Sequence, residues 1–257
     1  MDKIFEGLPY GFSDFSLVKD SLIPCAAVKR LPENARTVIS VLFPYYLGEE
    51  VYEKANVSRY AVSEDYHIIT GEIIKRITER LKALYPENKF EAFIDNSPLP
   101  EVRCAVSAGL GVMGLNNLFM NREYGSWVFL GEIVTDRFFP PTGEKITLCA
   151  ECNKCIEACP VNALTGTGLI KEKCLSFLSQ KKGELDENTK RLIFETGCAW
   201  GCDICQKVCP YNGKVKITPI KEFIDSACPE VTKETDIENR AFSWRGKAVI
   251  DRNLDII

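Results

Sequence analysis

At 257 residues the chain is long enough for a sizeable core, and 46% hydrophobic with 26% charged residues is the balance of an ordinary globular protein of one large or two smaller domains. A net charge of -4 argues against a chain-wide electrostatic grip on nucleic acid, and no run of eighteen apolar residues reads as a membrane span. No basic segment followed by a long apolar run opens the sequence, so the expected compartment is the cytoplasm, where twelve cysteines point to metal ligation over disulfides.

The first 34 residues are broken by Gly7, Pro9, Gly11, Pro24 and Pro32, which predicts short helices and turns; Cys25 stands alone and reads as a small packed residue. Residues 37–43 are β-branched and apolar up to Pro44 and predict a buried strand at the centre of a sheet. Ser58 is placed to cap a helix running to about Tyr85, with Ile69, Ile73, Ile77 and Leu81 as the stripe that packs on the sheet. At the start of that helix Arg59, Tyr60, Asp65, Tyr66 and His67 crowd polar and aromatic groups together. They read either as surface and packing residues or as a binding wall, and His67, the only histidine, has no second histidine for a His-based zinc site.

Residues 89–95 alternate like a strand and run into the turn Asp95-Asn96-Ser97-Pro98 ahead of a helix over residues 99–108. Asp95 therefore stands at a strand's C-terminal end, where ligands bind in open α/β sheets. It is either a candidate acid or a cap for the next helix. Gly109, Gly111 and Gly114 spell a dinucleotide fingerprint, but a helix precedes them and a strand or loop follows, the reverse of the order that fingerprint requires. Nicotinamide binding is rejected, and the glycines read as places where backbone approaches a bulky ligand closely. Residues 125–135 predict another strand, and residues 137–143 a linker.

Nine of the twelve cysteines fall between residues 149 and 210, seven of them in the runs Cys149-Ala-Glu-Cys152-Asn-Lys-Cys155-Ile-Glu-Ala-Cys159-Pro160 and Cys202-Asp-Ile-Cys205-Gln-Lys-Val-Cys209-Pro210. Three cysteines at intervals of three hold one iron-sulfur cube, and a fourth before proline ligates the neighbouring one. Zinc is the inorganic alternative, but this run overfills a single tetrahedral site. Two [4Fe-4S] clusters are expected, one on Cys149, Cys152, Cys155 and Cys209, the other on Cys159, Cys202, Cys205 and one more thiolate. Cys174 and Cys198 compete for that place, and spacing favours Cys174, leaving Cys198 as a nearby free thiol. Cys104 and Cys228 have no partner spacing and read as packing or surface residues. Between Lys171 and Lys221 ten Lys and Arg face six Asp and Glu; the excess reads as an offset to cluster charge, with a nucleic-acid contact as the other possibility. Two clusters alone make an electron conduit, so chemistry must come from the first 140 residues and another cofactor.

Ser58-Arg59-Tyr60 with Asp65-Tyr66-His67, Asp95-Asn-Ser-Pro98, Ala108-Gly-Leu-Gly111, Gly125-Ser-Trp127 with Phe129-Leu-Gly-Glu132, and the second cysteine run together resemble the epoxyqueuosine reductase family over residues 35–215. That family is similar in layout to the cobalamin-dependent reductive dehalogenases. The resemblance implies cobalamin beside the two clusters, and removal of the epoxide oxygen of epoxyqueuosine in tRNA. It implies Asp95 as the general acid, and cofactor contacts from Arg59, Tyr60, His67, Ser97, Gly109, Gly111, Asn116, Asn117, Ser126 and Trp127. Electrons would come from an external low-potential donor such as ferredoxin or flavodoxin; no membrane is involved.

The chain departs from the family where Val112-Met113-Gly114-Leu115-Asn116 replaces an aromatic residue and Gly-Lys-Asn, and where the expected arginine falls at Arg103. Longer members add a C-terminal helical-repeat domain that helps hold tRNA, whereas fewer than fifty residues follow Pro210 here. A corrinoid reductase for another small molecule, and a two-cluster electron carrier without corrin, are the alternatives. The expected architecture is α+β: an N-terminal α/β cobalamin-binding domain over residues 1–140, a bacterial-ferredoxin-like domain over residues 141–215, and a C-terminal extension over residues 216–257.

Overall fold

The computed structural model describes residues 1–143 and 149–257. Strands are β1 (Tyr10–Asp14), β2 (Thr37–Pro44), β3 (Phe90–Phe93), β4 (Val112–Met113), β5 (Phe119–Met120) and β6 (Val128–Thr135). Helices are α1 (Glu49–Tyr52), α2 (Tyr66–Leu84), α3 (Glu101–Ser107), α4 (Lys154–Glu157), α5 (Leu175–Ser179), α6 (Glu187–Thr196), α7 (Ile204–Lys207), α8 (Lys221–Asp225) and α9 (Lys247–Leu254). They fall into two compact units. The first comprises Met1–Pro44, His67–Met113 and Leu118–Ala150, and the second Tyr45–Tyr66, Gly114–Asn117 and Glu151–Ile257.

The first unit is built on a four-stranded sheet in the order β1-β2-β6-β3, antiparallel at every pairing. The N-terminal unit is therefore α+β, which corrects the α/β expectation. Strand, helix, strand in sequence reads as a parallel βαβ unit, but β6 arrives later and inserts between β2 and β3, splitting it. As expected, β2 is central, and all eight of its residues are buried because both faces of the sheet are covered. On one face the α2 stripe Ile69, Ile73, Ile77 and Leu81 is buried, each side chain stabilising the fold by roughly 1.5–3 kcal/mol. A Cβ at Gly131 would meet Ile74 of α2, Ile94 and Phe43, so β6 carries a glycine under the helix. On the other face Cys104 of α3 packs among Val38, Phe93, Leu99 and Val134, in keeping with its reading as a packing residue.

Several boundaries move for identifiable reasons. β1 forms where Pro9 and Gly11 suggested turns, because a side chain at Gly11 would collide with the Ala108 carbonyl. The long helix starts at Tyr66 and not near Ser58, whose hydroxyl donates to Asp203 at 2.5 Å and leaves Arg59–Ala61 as a separate 3-10 turn. Helix α3 ends in a Schellman motif, with the Gly109 N–H on Val106, the Leu110 N–H on Ala105, and Gly109 at φ 74. The stretch expected to be a linker is fastened within the first unit: Thr142 Oγ1 donates to the Ala108 carbonyl at 2.9 Å and accepts the Phe12 N–H at 2.9 Å. The expected ferredoxin-like domain begins at residue 141 and so includes residues 144–148, which lie outside the described residues.

In the second unit α4, which carries Cys155, packs on α7, which carries Cys205. Residues 216–257 belong to this unit. Asn253 of α9 is fully buried and donates to the carbonyls of Ser179 and Ala199 at 2.8 and 2.6 Å, and Phe242 lies 5.8 Å from the Trp200 ring.

Candidate active site

Beyond the end of β3, Asp95 and Asn96 occupy left-handed backbone in succession, at φ 44 and φ 37. Aspartate and asparagine tolerate that region better than other side-chain-bearing residues, yet each costs of order 1 kcal/mol. The turn leaves the Asp95 side chain 57% exposed, with Oδ2 3.1 Å from Nε2 of His67 in the first turn of α2. The chain's only histidine and its candidate acid are thus one pair. Asp95 does not cap the following helix: the N-cap of α3 is Pro100, without a side-chain capping bond, and Ser97 Oγ takes the Leu99 N–H at 3.1 Å.

Behind this turn lie two carboxyl groups that sequence reasoning missed. Glu101, at the start of α3, accepts the Asp95 backbone N–H on its side chain, and its other oxygen, Oε1, is buried without a partner. Burial first, then the nearby Asp95 charge, pushes its carboxyl up to about 7. Glu132 of β6 is fully buried with neither oxygen hydrogen-bonded, so burial and the Glu101 charge hold it protonated far above the usual carboxylate range. Glu132 closes the Phe129-Leu-Gly-Glu132 motif without a role assigned to it, and parity places it on the inward face with Val134, paired with Ser40 and Phe93. A cleft of about 830 Å³ opens beside Asp95, lined by Ile23, Leu99, Val106 and Met113 among apolar residues and by Glu101 and Arg103. Its volume and mostly apolar walls suit a bulky organic group.

The other residues expected to contact a cofactor are buried or engaged within the protein in this structure. Trp127 is fully buried and Ser126 is 5% exposed. A Cβ at Gly111 would overlap the Met120 carbonyl, so that glycine serves the close approach of β5, as Gly109 serves the helix end. In the second unit Asn116 is buried, and Asn117, at φ 63, donates its N–H to Gly114. Arg59 is buried beneath Tyr52 and Tyr46, its guanidinium on Glu49 at 2.6 Å and its N–H on Asp203 at 2.7 Å. The Tyr60 hydroxyl accepts the Trp200 indole N–H at 2.7 Å. Arg59 and Tyr60 therefore brace the segment around Cys202 and Cys205, because Asp203 lies between those cysteines.

Cys159 and Cys174 lie close enough to Cys202 and Cys205 to oppose the ionisation of that pair. Burial, the larger cause, pushes Cys202 up to about 11 and Cys205 up to about 12. Such a soft, mutually repelling donor set fits a thiolate-bound cluster, whose iron displaces the protons on binding. Cys198 also lies within electrostatic reach of Cys202, but its thiol donates to the Trp200 carbonyl at 3.3 Å. A four-iron cluster spreads its ligands over four metal atoms, so they stand farther apart than ligands of one ion. Among the described residues no three His, Cys, Asp or Glu side chains gather on a single-ion site. Cys155 and Cys209 are half-buried and Cys152 is exposed. Among the described residues no helix is long and apolar enough to cross a membrane.

A segment of cluster-type cysteines and an exposed acid on a strained turn define an iron-sulfur oxidoreductase, and the sequence matches a 4Fe-4S double cluster binding domain over residues 148–212. Residues 26–96 match the family described as epoxyqueuosine reductase QueG, DUF1730. The chain is 33% identical over 241 residues to epoxyqueuosine reductase of Lactococcus garvieae, covering 86% of this chain and 68% of that one. It is 34% identical to the Cyclobacterium marinum enzyme, covering 80% and 70%. The chain belongs to the epoxyqueuosine reductase family.

Among solved structures, that of epoxyqueuosine reductase from Streptococcus thermophilus superposes with a TM-score of 0.81 at 28% identity, over 100% of this chain and 78% of that one. An epoxyqueuosine reductase solved with a tRNA-Tyr epoxyqueuosine-modified stem loop superposes at 0.77 with 26% identity, over 96% and 76%.

Proposed function

We propose that this chain reduces the epoxide of epoxyqueuosine in tRNA to the alkene of queuosine, using cobalamin and two [4Fe-4S] clusters. The observation that carries this reading is Asp95: an exposed carboxyl on consecutive left-handed residues, partnered by the chain's only histidine, beside an open apolar cleft. The reaction takes up two electrons and two protons, breaks both epoxide C–O bonds, forms a carbon–carbon double bond and releases one water. Asp95 gives a proton to the departing oxygen, a role worth roughly 10²–10⁴ in rate. His67 orients the carboxyl through Oδ2, and the left-handed turn keeps it at the surface where substrate can reach it.

Cobalamin, when bound, supplies a cobalt centre that can be reduced to a strong nucleophile. Within the unit that carries Asp95, His67, Ser97 and the cleft walls Ile23, Val106 and Met113 would hold the corrin and keep water from the acid. By their spacing, Cys149, Cys152, Cys155 and Cys209 hold one cluster and Cys159, Cys174, Cys202 and Cys205 the other, fed by an external low-potential donor such as ferredoxin or flavodoxin. The tRNA stem loop held by a solved relative supports tRNA as the substrate carrier.

The test is anaerobic reconstitution with iron, sulfide and cobalamin, followed by incubation with an epoxyqueuosine-containing anticodon stem-loop and a chemical reductant. Loss of one oxygen from the nucleoside by mass spectrometry, together with protein-bound cobalamin absorbance, is the expected outcome. Cluster absorbance with neither corrin binding nor turnover would instead leave an electron carrier.

A further inference from the structure

Asp95 sits in an unfavourable left-handed backbone conformation, and its N–H is taken by the titratable side chain of Glu101. We infer that Glu101 is a positioning residue for the Asp95 turn: as a carboxylate it grips the Asp95 N–H, and on taking a proton it loosens that grip. This rests on the reading of Asp95 as the acid.

Glu101 is the first residue of the helix that follows the Asp95 loop, accepts that loop's N–H, and has its second oxygen sealed from solvent with no donor. The fully buried Glu132 of β6 has neither oxygen hydrogen-bonded among the described residues, and its charge and that of Glu101 oppose each other. Two buried carboxyls that share a site do not both ionise at neutral pH, and the one with the N–H bond is the one that gives up its proton. A hydrogen bond to a carboxylate is roughly twice as strong as one to a neutral oxygen, so ionising Glu101 tightens the turn.

The groups that face Glu101 are Asp95 from the loop, His67 from α2, and Glu132 from β6, with Cys104 and the exposed Arg103 on its own helix. Of these, His67 favours the Glu101 carboxylate, whereas Asp95 opposes it, and Glu132 and Glu101 oppose each other's ionisation. Glu101 changes charge near 7, so the grip operates within the working range of a neutral-pH enzyme. At higher pH the acid is held and oriented; at lower pH its loop is released.

The test uses the cluster-loaded protein and Glu101→Gln, in which the amide oxygen imitates the protonated state. Hydrogen exchange of the Asp95 amide, followed by mass spectrometry on a peptide spanning residues 93–99 and corrected for intrinsic rates, should slow in the wild type between about pH 6 and about pH 8. In Glu101→Gln it should be flat. Turnover of the variant should fall roughly ten-fold at about pH 8 and match the wild type at about pH 6, the difference expected for one charge-assisted hydrogen bond.

A loss that is the same at both pH values would mean a merely structural glutamate and overturn the inference. So would protection of Asp95 in the wild type that does not change with pH, which decides the matter even if the variant fails to fold. Failure of the underlying reading looks different: Asp95→Asn would keep full turnover while the pH-dependent protection in the wild type persisted.

Discussion

His67 Nε2 stands 3.1 Å from Asp95 Oδ2, although the chain runs through all of α2 and β3 between them. Both side chains are about half exposed, so the pair contributes little to stability and its geometry is open to a substrate. Asp95→Asn should lower turnover by roughly 10² or more while iron content, cluster absorbance and thermal stability stay close to wild type. Single-turnover kinetics beside an ultraviolet-visible spectrum of the loaded protein checks this. Full turnover in that variant would remove Asp95 from the proton-transfer step.

Glu132 gives a prediction about pH. Its folded carboxyl is raised far above its ordinary value of 4.5, so the folded state keeps a proton that the unfolded chain gives up, and stability falls as pH rises above that value. A glutamine at this position does not titrate. The stability of Glu132→Gln relative to wild type should therefore improve as pH rises above about 5, by up to roughly 1.4 kcal/mol per pH unit. Denaturant titrations under anaerobic conditions at several pH values measure that slope, which is independent of any constant offset from burying an amide. A slope of zero would mean that Glu132 finds a partner in solution.

The cysteines divide the two candidates for the eighth cluster ligand. Cys174 faces Cys202 and Cys205, whereas the Cys198 thiol is engaged with the Trp200 carbonyl. Cys174→Ala should lose about half of the bound iron, and Cys198→Ala should keep all of it. Iron and sulfide analysis after reconstitution decides between them; the reverse result would exchange their roles.

Asp203 is buried and takes the Ser58 hydroxyl at 2.5 Å and the Arg59 N–H at 2.7 Å, tying residues 58–59 to the loop between Cys202 and Cys205. Removing the carboxylate strands both donors. Asp203→Ala should cost roughly 3 kcal/mol, and Ser58→Ala less, because the carboxylate then keeps the Arg59 N–H. Urea unfolding of cluster-loaded protein reads the difference, and equal effects of the two substitutions would contradict the arrangement.

The β2 strand, the α2 stripe and the spacing of the cysteine runs were legible in the sequence because each depends on a local period or interval. β1 was not, since Gly11 looks like a turn residue until the Ala108 carbonyl is seen against it. Ser58 looked like a helix cap for the same reason: its partner, Asp203, lies 145 residues away. Gly109 and Gly111 were noticed but read as ligand-facing, whereas a helix end and a neighbouring strand account for them.

The sequence by itself determined the redox character of the chain, because the cysteine interval that builds a cluster is a matter of a few consecutive residues; the turn after a strand left Asp95 as either an acid or a cap, and the family resemblance chose the acid. Only the tertiary structure decided what surrounds that aspartate. The antiparallel insertion of β6 carries Glu132 beneath α3, and the return of α2 sets His67 against Asp95. Charges brought together by topology, and buried there away from water, leave no period in the sequence to read.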